Sequence, residues 1–245
     1  MRHAAPRRKL KFISFKTKMS AVSGRMRMLM KNYLQARKSG AEIGYDIRPV
    51  LNDRGEPDYE HYYILLRPTE GIYAGQEHLL EMKTKYGNGE NVNYYPQKAP
   101  YIRFKTHVWH VNVSSEGSIC LDILKDASKW APTYKFDQIM CSLKLLFEYP
   151  NPQSPFNGAA GKLWMECEAK FEHAKARHSN AVITVAEEEL LRLDAFAPYM
   201  DKSAKVADKN NMTNHYRYFA EHAEPEEELT KMFEAFGITA AAPKQ

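Results

Sequence analysis

The stretch HVWHVNVSSEGSICLDIL (residues 107–124) sets two histidines, an asparagine and a cysteine around a turn that runs into an apolar segment. Three readings compete for it: a metal site, a nucleophilic thiol, or a buried strand whose polar residues carry no chemistry. Zinc would draw on His107, His110 and Cys120. An extended H-x-x-H does not put both rings on one face, however, and no fourth ligand follows at finger spacing. A cysteine hydrolase would need a histidine beside the thiol and a third group to orient it, and the sequence does not advertise one. A lone cysteine between Ile119 and Leu121 also suits a small buried hydrophobe. The flanking chain has to separate these.

Upstream, Met19, Val22, Met26, Leu29, Met30 and Tyr33 recur at three- and four-residue steps, with Arg25, Arg27 and Lys31 between them. This spacing predicts a helix from Phe15 or Lys18 that stops near Gly40. Segments 43–52, 62–68, 78–85 and 101–108 mix alternation with aromatic and β-branched residues, and turn-rich NDRGEPD and PTEGIYAG separate the first three. Short connections between successive strands favour an antiparallel meander. The Gly-, Asn- and Pro-rich link YGNGENVNYYPQKAP (86–100) reads as a surface loop. Downstream, Phe136, Ile139, Met140, Leu143, Leu146 and Phe147 share one side of a helix with Pro132 before it, Asp137 in its first turn and Pro150 after it. A further helix is expected over 157–177, with weaker helical patterns in AEEELLRLDAF and PEEELTKMFEAF. The fold class is α+β: a helix, a four-stranded antiparallel meander, an irregular cysteine-bearing stretch, then helices.

The chain of 245 residues carries a formal charge of +5 that is unevenly placed. Residues 1–41 hold 12 Lys or Arg and no acid, which leaves 23 bases against 30 acids in the rest. Three cysteines are too few and too scattered for a disulfide framework. No apolar run approaches the roughly 20 residues that span a bilayer, and the N-terminus has no signal-peptide pattern. The expectation is a cytoplasmic or nuclear protein with reduced thiols. It has a basic disordered arm (1–14), one domain (15–184) and an acidic, partly helical extension (185–245).

In this order of elements, HVN at 110–112, Cys120 eight residues beyond Asn112, and WAP at 130–132 resemble the signature of the ubiquitin-conjugating enzyme family. YPNPQSP (149–155) resembles that family's Pro-Asn-Pro-x-Asp/Ser-Pro loop, and YPQKAP (95–100) its Tyr-Pro-x-x-Pro-Pro loop. The resemblance covers about residues 15–184. It departs in Val111, which stands where the family has proline, and in Gln97, where many members carry a phenylalanine that meets ligases. Two extra residues between Cys120 and Trp130, placed at the DAS bulge, are similar to the SUMO-conjugating branch, whereas WAPT is similar to a NEDD8-conjugating branch. The modifier stays open among ubiquitin, SUMO and NEDD8.

The resemblance implies that Cys120 takes a modifier from an activating enzyme as a thioester and passes it to a substrate lysine or a ligase. Asn112 then either donates to the oxyanion of the attack or ties down the neighbouring loop. Ser154 at the gate position and Asp122, two residues after the thiol, are candidates for handling the proton of the incoming amine. Asn151 and Tyr134 are expected to line the lysine channel. His110, Trp130 and Pro132 are taken as structural parts of the motif. Arg25, Arg27, Lys31, Gln97, Pro132 and Thr133 are expected to contact the activating enzyme or a RING or HECT ligase. No cofactor, metal or membrane span is expected. Two other functions remain: a catalytically silent adaptor of the same fold, disfavoured by the thiol in register, and a nucleic-acid binder, disfavoured by the acidic balance after residue 41.

Overall fold

The computed structural model describes residues 23–177, Arg192, residues 194–199, Glu234 and Phe236. The basic arm at 1–14 and most of the acidic extension lie outside the described residues. Helix α1 (Gly24–Ile43) leads into strands β1 (Tyr45–Leu51), β2 (Pro57–Leu66) and β3 (His78–Lys83). A short ladder of β4 (Lys85–Tyr86) and β5 (Asn93–Tyr94) precedes β6 (Tyr101–Phe104). Helices α2 (Asp122–Lys125), α3 (Phe136–Glu148) and α4 (Gly158–Arg177) follow.

Helix α1 ends later than its periodicity predicts. Ser23 caps its start by accepting the Met26 N–H at 3.2 Å, so this helix opens at Gly24, and the expected start at 15–18 lies outside the described residues. Met19 and Val22 lie outside the described residues. Gly40 does not stop the helix but sits inside it, and the chain leaves only at Gly44, whose N–H bonds the Gly40 carbonyl. The reason for Gly40 is a close approach: a Cβ there would stand 2.6 Å from the Tyr45 carbonyl oxygen and against the Tyr45 ring. A glycine that lets a strand pass closely carries the same sequence signal as one that ends a helix.

The sheet is an antiparallel meander in the order β1-β2-β3-β6. Ile47 pairs with Ile64, Ile64 with Leu80, and Leu80 with Phe104, so one face carries a continuous apolar row. That face packs on Leu29, Tyr33 and Leu34 of α1 and on Phe136, Ile139, Met140 and Phe147 of α3. The β1–β2 register slips between Pro49 and Val50. Proline has no N–H to donate there, and a bulge absorbs the loss. Within 86–100, expected as plain loop, Tyr86 pairs with Asn93 in the short ladder.

Helices α3 and α4 match the expected spans closely. Leu146 is only half-buried, whereas the other five apolar residues expected on that side of α3 are buried. The boundary at 184 is crossed by the core. Phe196, assigned by sequence to the extension, has no solvent exposure and sits edge-on to Trp109 and Trp164. Tyr199 stacks flat on Trp109 at 4.1 Å, and the Arg192 guanidinium lies 4.6 Å from the Trp164 ring centre. At least this part of the extension therefore belongs to the packed domain.

Candidate active site

The loop that carries Cys120 is held by the sheet edge. Isolated bridges join Arg103 to Ser118 and Val113 to Ile119, and Phe104 donates its N–H to the Gly117 carbonyl at 2.8 Å. Gly117 adopts φ 84°, and a Cβ there would collide with the Phe104 carbonyl oxygen, so the tight turn over β6 needs glycine. The Cys120 N–H then bonds the Asn112 carbonyl at 2.9 Å, which sets the cysteine directly across from the asparagine.

Cys120 is 6% exposed, and two polar groups reach its sulfur. Sγ lies 3.5 Å from Ser154 Oγ and 3.7 Å from Lys125 Nζ, and both of those residues are exposed. The sulfur is thus buried but touched by two polar groups of surface residues. Asp122 is close in sequence but turns away: it opens α2, is exposed, and pairs with Lys129.

Both N–H donors of the Asn112 side chain are occupied. Nδ2 donates to the carbonyls of Asn151 (2.8 Å) and Ser154 (3.1 Å), and Oδ1 accepts the Asn151 N–H (2.8 Å). A carboxamide has two N–H donors, and both are spent on the 151–154 loop. Of the two roles considered for Asn112, this geometry matches the tie to the loop. His110 stands behind it with no exposure, stacked on Phe147 at 4.6 Å. Its Nδ1 accepts the Asn112 N–H at 2.9 Å and its Nε2 faces the Phe147 carbonyl at 3.3 Å, a pattern that fixes the Nε2–H tautomer. Neither nitrogen remains for a metal, His107 is exposed, and no cluster of ligands that would hold a metal ion occurs among the described residues.

Burial keeps His110 neutral, lowering its pKa to about 3, and burial lowers His78 to about 4. An unfolded chain takes up these protons near pH 6.5. The stabilisation is therefore complete above that pH and is lost as acid protonates the unfolded histidines, down to the folded values. Glu81, held down to about 2 mainly by its hydrogen bond to His61, contributes to acid loss only below its ordinary value of 4.5. Between about pH 6.5 and 4.5 the two histidines set the slope, at about 1.4 kcal/mol per pH unit each. Urea unfolding at about pH 7 and about pH 5 should show stability falling by roughly 3–4 kcal/mol; a flat profile would contradict the buried neutral pair.

A second cluster stitches three segments together around Tyr95. Its hydroxyl donates to the Tyr134 carbonyl at 2.6 Å and accepts from Asn32 Nδ2 at 3.2 Å, and Trp130 Nε1 donates to the Pro96 carbonyl at 2.8 Å. Gln97, Pro132 and Thr133 are exposed on the two joined loops, and Arg27 and Lys31 are exposed on α1. Arg25, expected among the partner contacts, is engaged internally instead. It pairs with Glu60, donates to the carbonyls of Thr84 and Tyr95, and lies 5.1 Å from the Tyr94 ring centre. Tyr134, expected in the lysine channel, packs on Trp130 and accepts the Tyr95 hydroxyl on its carbonyl.

Against known proteins, a family model described as ubiquitin-conjugating enzyme matches residues 47–179. The chain belongs to the ubiquitin-conjugating enzyme family. It is 39% identical over 101 residues to ubiquitin-conjugating enzyme E2 1 of Caenorhabditis elegans, a match covering 41% of this chain and 52% of that protein. It is 40% identical over 90 residues to probable ubiquitin-conjugating enzyme E2 31 of Arabidopsis thaliana, covering 35% and 57%. Ubiquitin-conjugating enzyme E2 N of Macaca fascicularis is 32% identical over 133 residues, covering 52% and 82%. The chain thus spans little more than half the length of the first two curated relatives.

Within this ubiquitin-conjugating fold, the turn at Val111, where the resemblance led to an expectation of proline, is closed. Val111 has no exposure, its carbonyl accepts the N–H groups of Phe156 and Asn157, and Val113 donates back to the His110 carbonyl. Burial and hydrogen bonds hold what a proline ring would have held through one dihedral. The DAS bulge forms a turn in which Asp126 accepts both the N–H and the hydroxyl of Ser128. Sequence reasoning missed Lys125. Its signal was available, a basic residue five positions after the cysteine, but only the α2 turn brings it back to the sulfur.

Proposed function

We propose that the chain accepts ubiquitin or a ubiquitin-like modifier from an activating enzyme as a thioester on Cys120, then passes it to a lysine amine of a protein substrate or to a ligase. The observation that carries this reading is the placement of the Cys120 sulfur, 3.5 Å from an exposed serine hydroxyl and opposite the Asn112 backbone. In the first step the Cys120 thiolate attacks the activating enzyme's thioester: one C–S bond forms, the other breaks, and the partner's thiolate leaves. In the second, a neutral amine attacks the new thioester and sulfur departs. Asn112 acts as a positioning residue by holding the 151–154 loop, which places Ser154 beside the sulfur.

Activating enzyme and ligase dock on the exposed side chains of Arg27, Lys31, Gln97, Pro132 and Thr133, which the Tyr95 cluster gathers near one another. Their basic members speed encounter with an acidic partner, an effect weakened by salt. The three free thiols suit the reducing cytoplasm or nucleus. The test mixes the protein with ATP, a modifier and that modifier's activating enzyme, taking ubiquitin, SUMO and NEDD8 in turn. A thiol-sensitive adduct one modifier heavier than the protein is expected with one of them on a non-reducing gel. Absence of an adduct with all three would sink the reading.

A further inference from the structure

Two lysine–tyrosine pairs follow one another where the main sheet passes into the small ladder. Lys83 stands opposite Tyr101 at the end of the β3–β6 pairing, and Lys85 stands opposite Tyr94 in the β4–β5 pairing. Residues directly opposite on an antiparallel pair share a face. Both tyrosines are 40% exposed. The Tyr94 ring has the Arg25 guanidinium 5.1 Å and the Lys85 amine 5.7 Å from its centre. The Tyr101 ring leans on Tyr86 at 5.9 Å, and the Tyr86 hydroxyl donates to the Ala99 carbonyl at 2.9 Å. The two exposed rings are therefore held in place by their neighbours. Charge here differs from the chain's average: residues 78–105 hold five Lys or Arg and two acids. One of those acids, Glu81, is buried and shared by His61 at 2.9 Å, Arg103 at 3.1 Å and Lys83 at 3.4 Å, so a single carboxylate serves three basic groups.

We infer that this surface binds single-stranded nucleic acid, with bases stacked on Tyr94 and Tyr101 and phosphates along Lys83, Lys85 and Arg103. Ring and charge together select the partner. An acidic protein segment needs only the cations and leaves two exposed rings unused. A duplex keeps its base faces in its own stack and offers phosphates alone, whereas a single strand presents both. Every base has a π-face, so such a platform is tolerant of sequence, and a surface of rings and cations reads neither base edges nor the sugar. The acidic balance after residue 41 counts against nucleic acid only as a sum over the chain. Phosphate contacts respond to charge within a Debye length, about 8–10 Å, and within that range the cations of this surface outnumber the acids. The inference stands apart from the thioester reading, since no step in it involves Cys120.

The experiment measures fluorescence anisotropy of short labelled oligo(dT) and oligo(U) strands with the full chain between about 50 and 200 mM salt. Both strands should bind with similar affinity, about tenfold tighter than a duplex of the same length, and more weakly as salt rises. Tyr94→Ala and Tyr101→Ala should each weaken binding about tenfold with the salt slope unchanged, while Tyr94→Phe and Tyr101→Phe keep it, because the stacking ring remains. Lys85→Gln should instead lower the magnitude of the salt slope by about 0.7, one phosphate contact on a single strand. Lys85 is exposed, so this variant stays folded and decides the matter if loss of a ring disturbs the ladder. An alanine pair at 94 and 101 that binds like the parent assigns the binding to charge elsewhere, the basic residues of 1–41 included, and overturns the inference. So does duplex binding as tight as single-strand binding, full competition by polyglutamate at equal charge, dependence on one sugar alone, an unchanged slope in Lys85→Gln, or no binding at the lowest salt.

Discussion

Replacing Cys120 with alanine removes the thiol-sensitive adduct to background while the protein stays folded. The side chain is small and its sulfur touches the Ser154 and Lys125 side chains, so truncation costs about 1 kcal/mol. Neither remaining thiol should substitute. Cys167 is 2% exposed on α4, and burial pushes its thiol up, away from the reactive thiolate form. Cys141 is half-buried on α3. Cys120→Ser sharpens the test, because an ester on serine resists thiol reagents where a thioester does not. The measurement is a pair of gels, reducing and non-reducing, for Cys120→Ala, Cys120→Ser and Cys141→Ala. Charging that survives Cys120→Ala, or that disappears in Cys141→Ala, places the nucleophile elsewhere.

Asn112→Ala should lose both stability and lysine discharge, and the joint loss is what separates a positioning asparagine from an oxyanion donor. The native carboxamide has no exposure and satisfies two carbonyls and one N–H of the 151–154 loop. Each such group left unpaired costs about 1–3 kcal/mol, and because Asn151 and Ser154 are exposed, water recovers part of that. The expected destabilisation is about 3 kcal/mol, a fall of roughly 6–12 °C in melting temperature for a protein of this size. With the loop released, Ser154 loses its place beside the sulfur, and a misplacement of about 1 Å is worth on the order of 100-fold in discharge rate. Charging, which needs only the thiol and the docking surface, should persist. An unchanged melting temperature with discharge alone abolished would instead assign Asn112 to the oxyanion, since a donor reserved for the reaction is not spent on the resting fold.

The two predictions also mark what the primary structure disclosed. Alternation and helical spacing exposed the order of helix, meander and helices, because burial against one core imposes a period on each element. Gly40 misled, since a glycine demanded by the passing Tyr45 backbone looks the same in sequence as a helix terminator. The spacing of Asn112 and Cys120 survived as a backbone hydrogen bond, a local consequence of the short turn at Gly117. Asp122 and Lys125 show the limit: the nearer of the two in sequence turns out toward Lys129, and the farther comes back to the sulfur.

Local pattern was enough for the family, the meander and the cysteine as the reactive candidate, since all three rest on neighbours within a few residues along the chain. The allocation of hydrogen-bond donors was not legible that way. Whether the Asn112 amide is free or spent, whether Arg25 faces a partner or Glu60, and whether Phe196 belongs to a tail or to the core depend on groups 35 or more residues apart in the chain. Such pairings follow from how the packed elements meet, and a one-dimensional pattern carries no record of which distant partner claims a given polar atom.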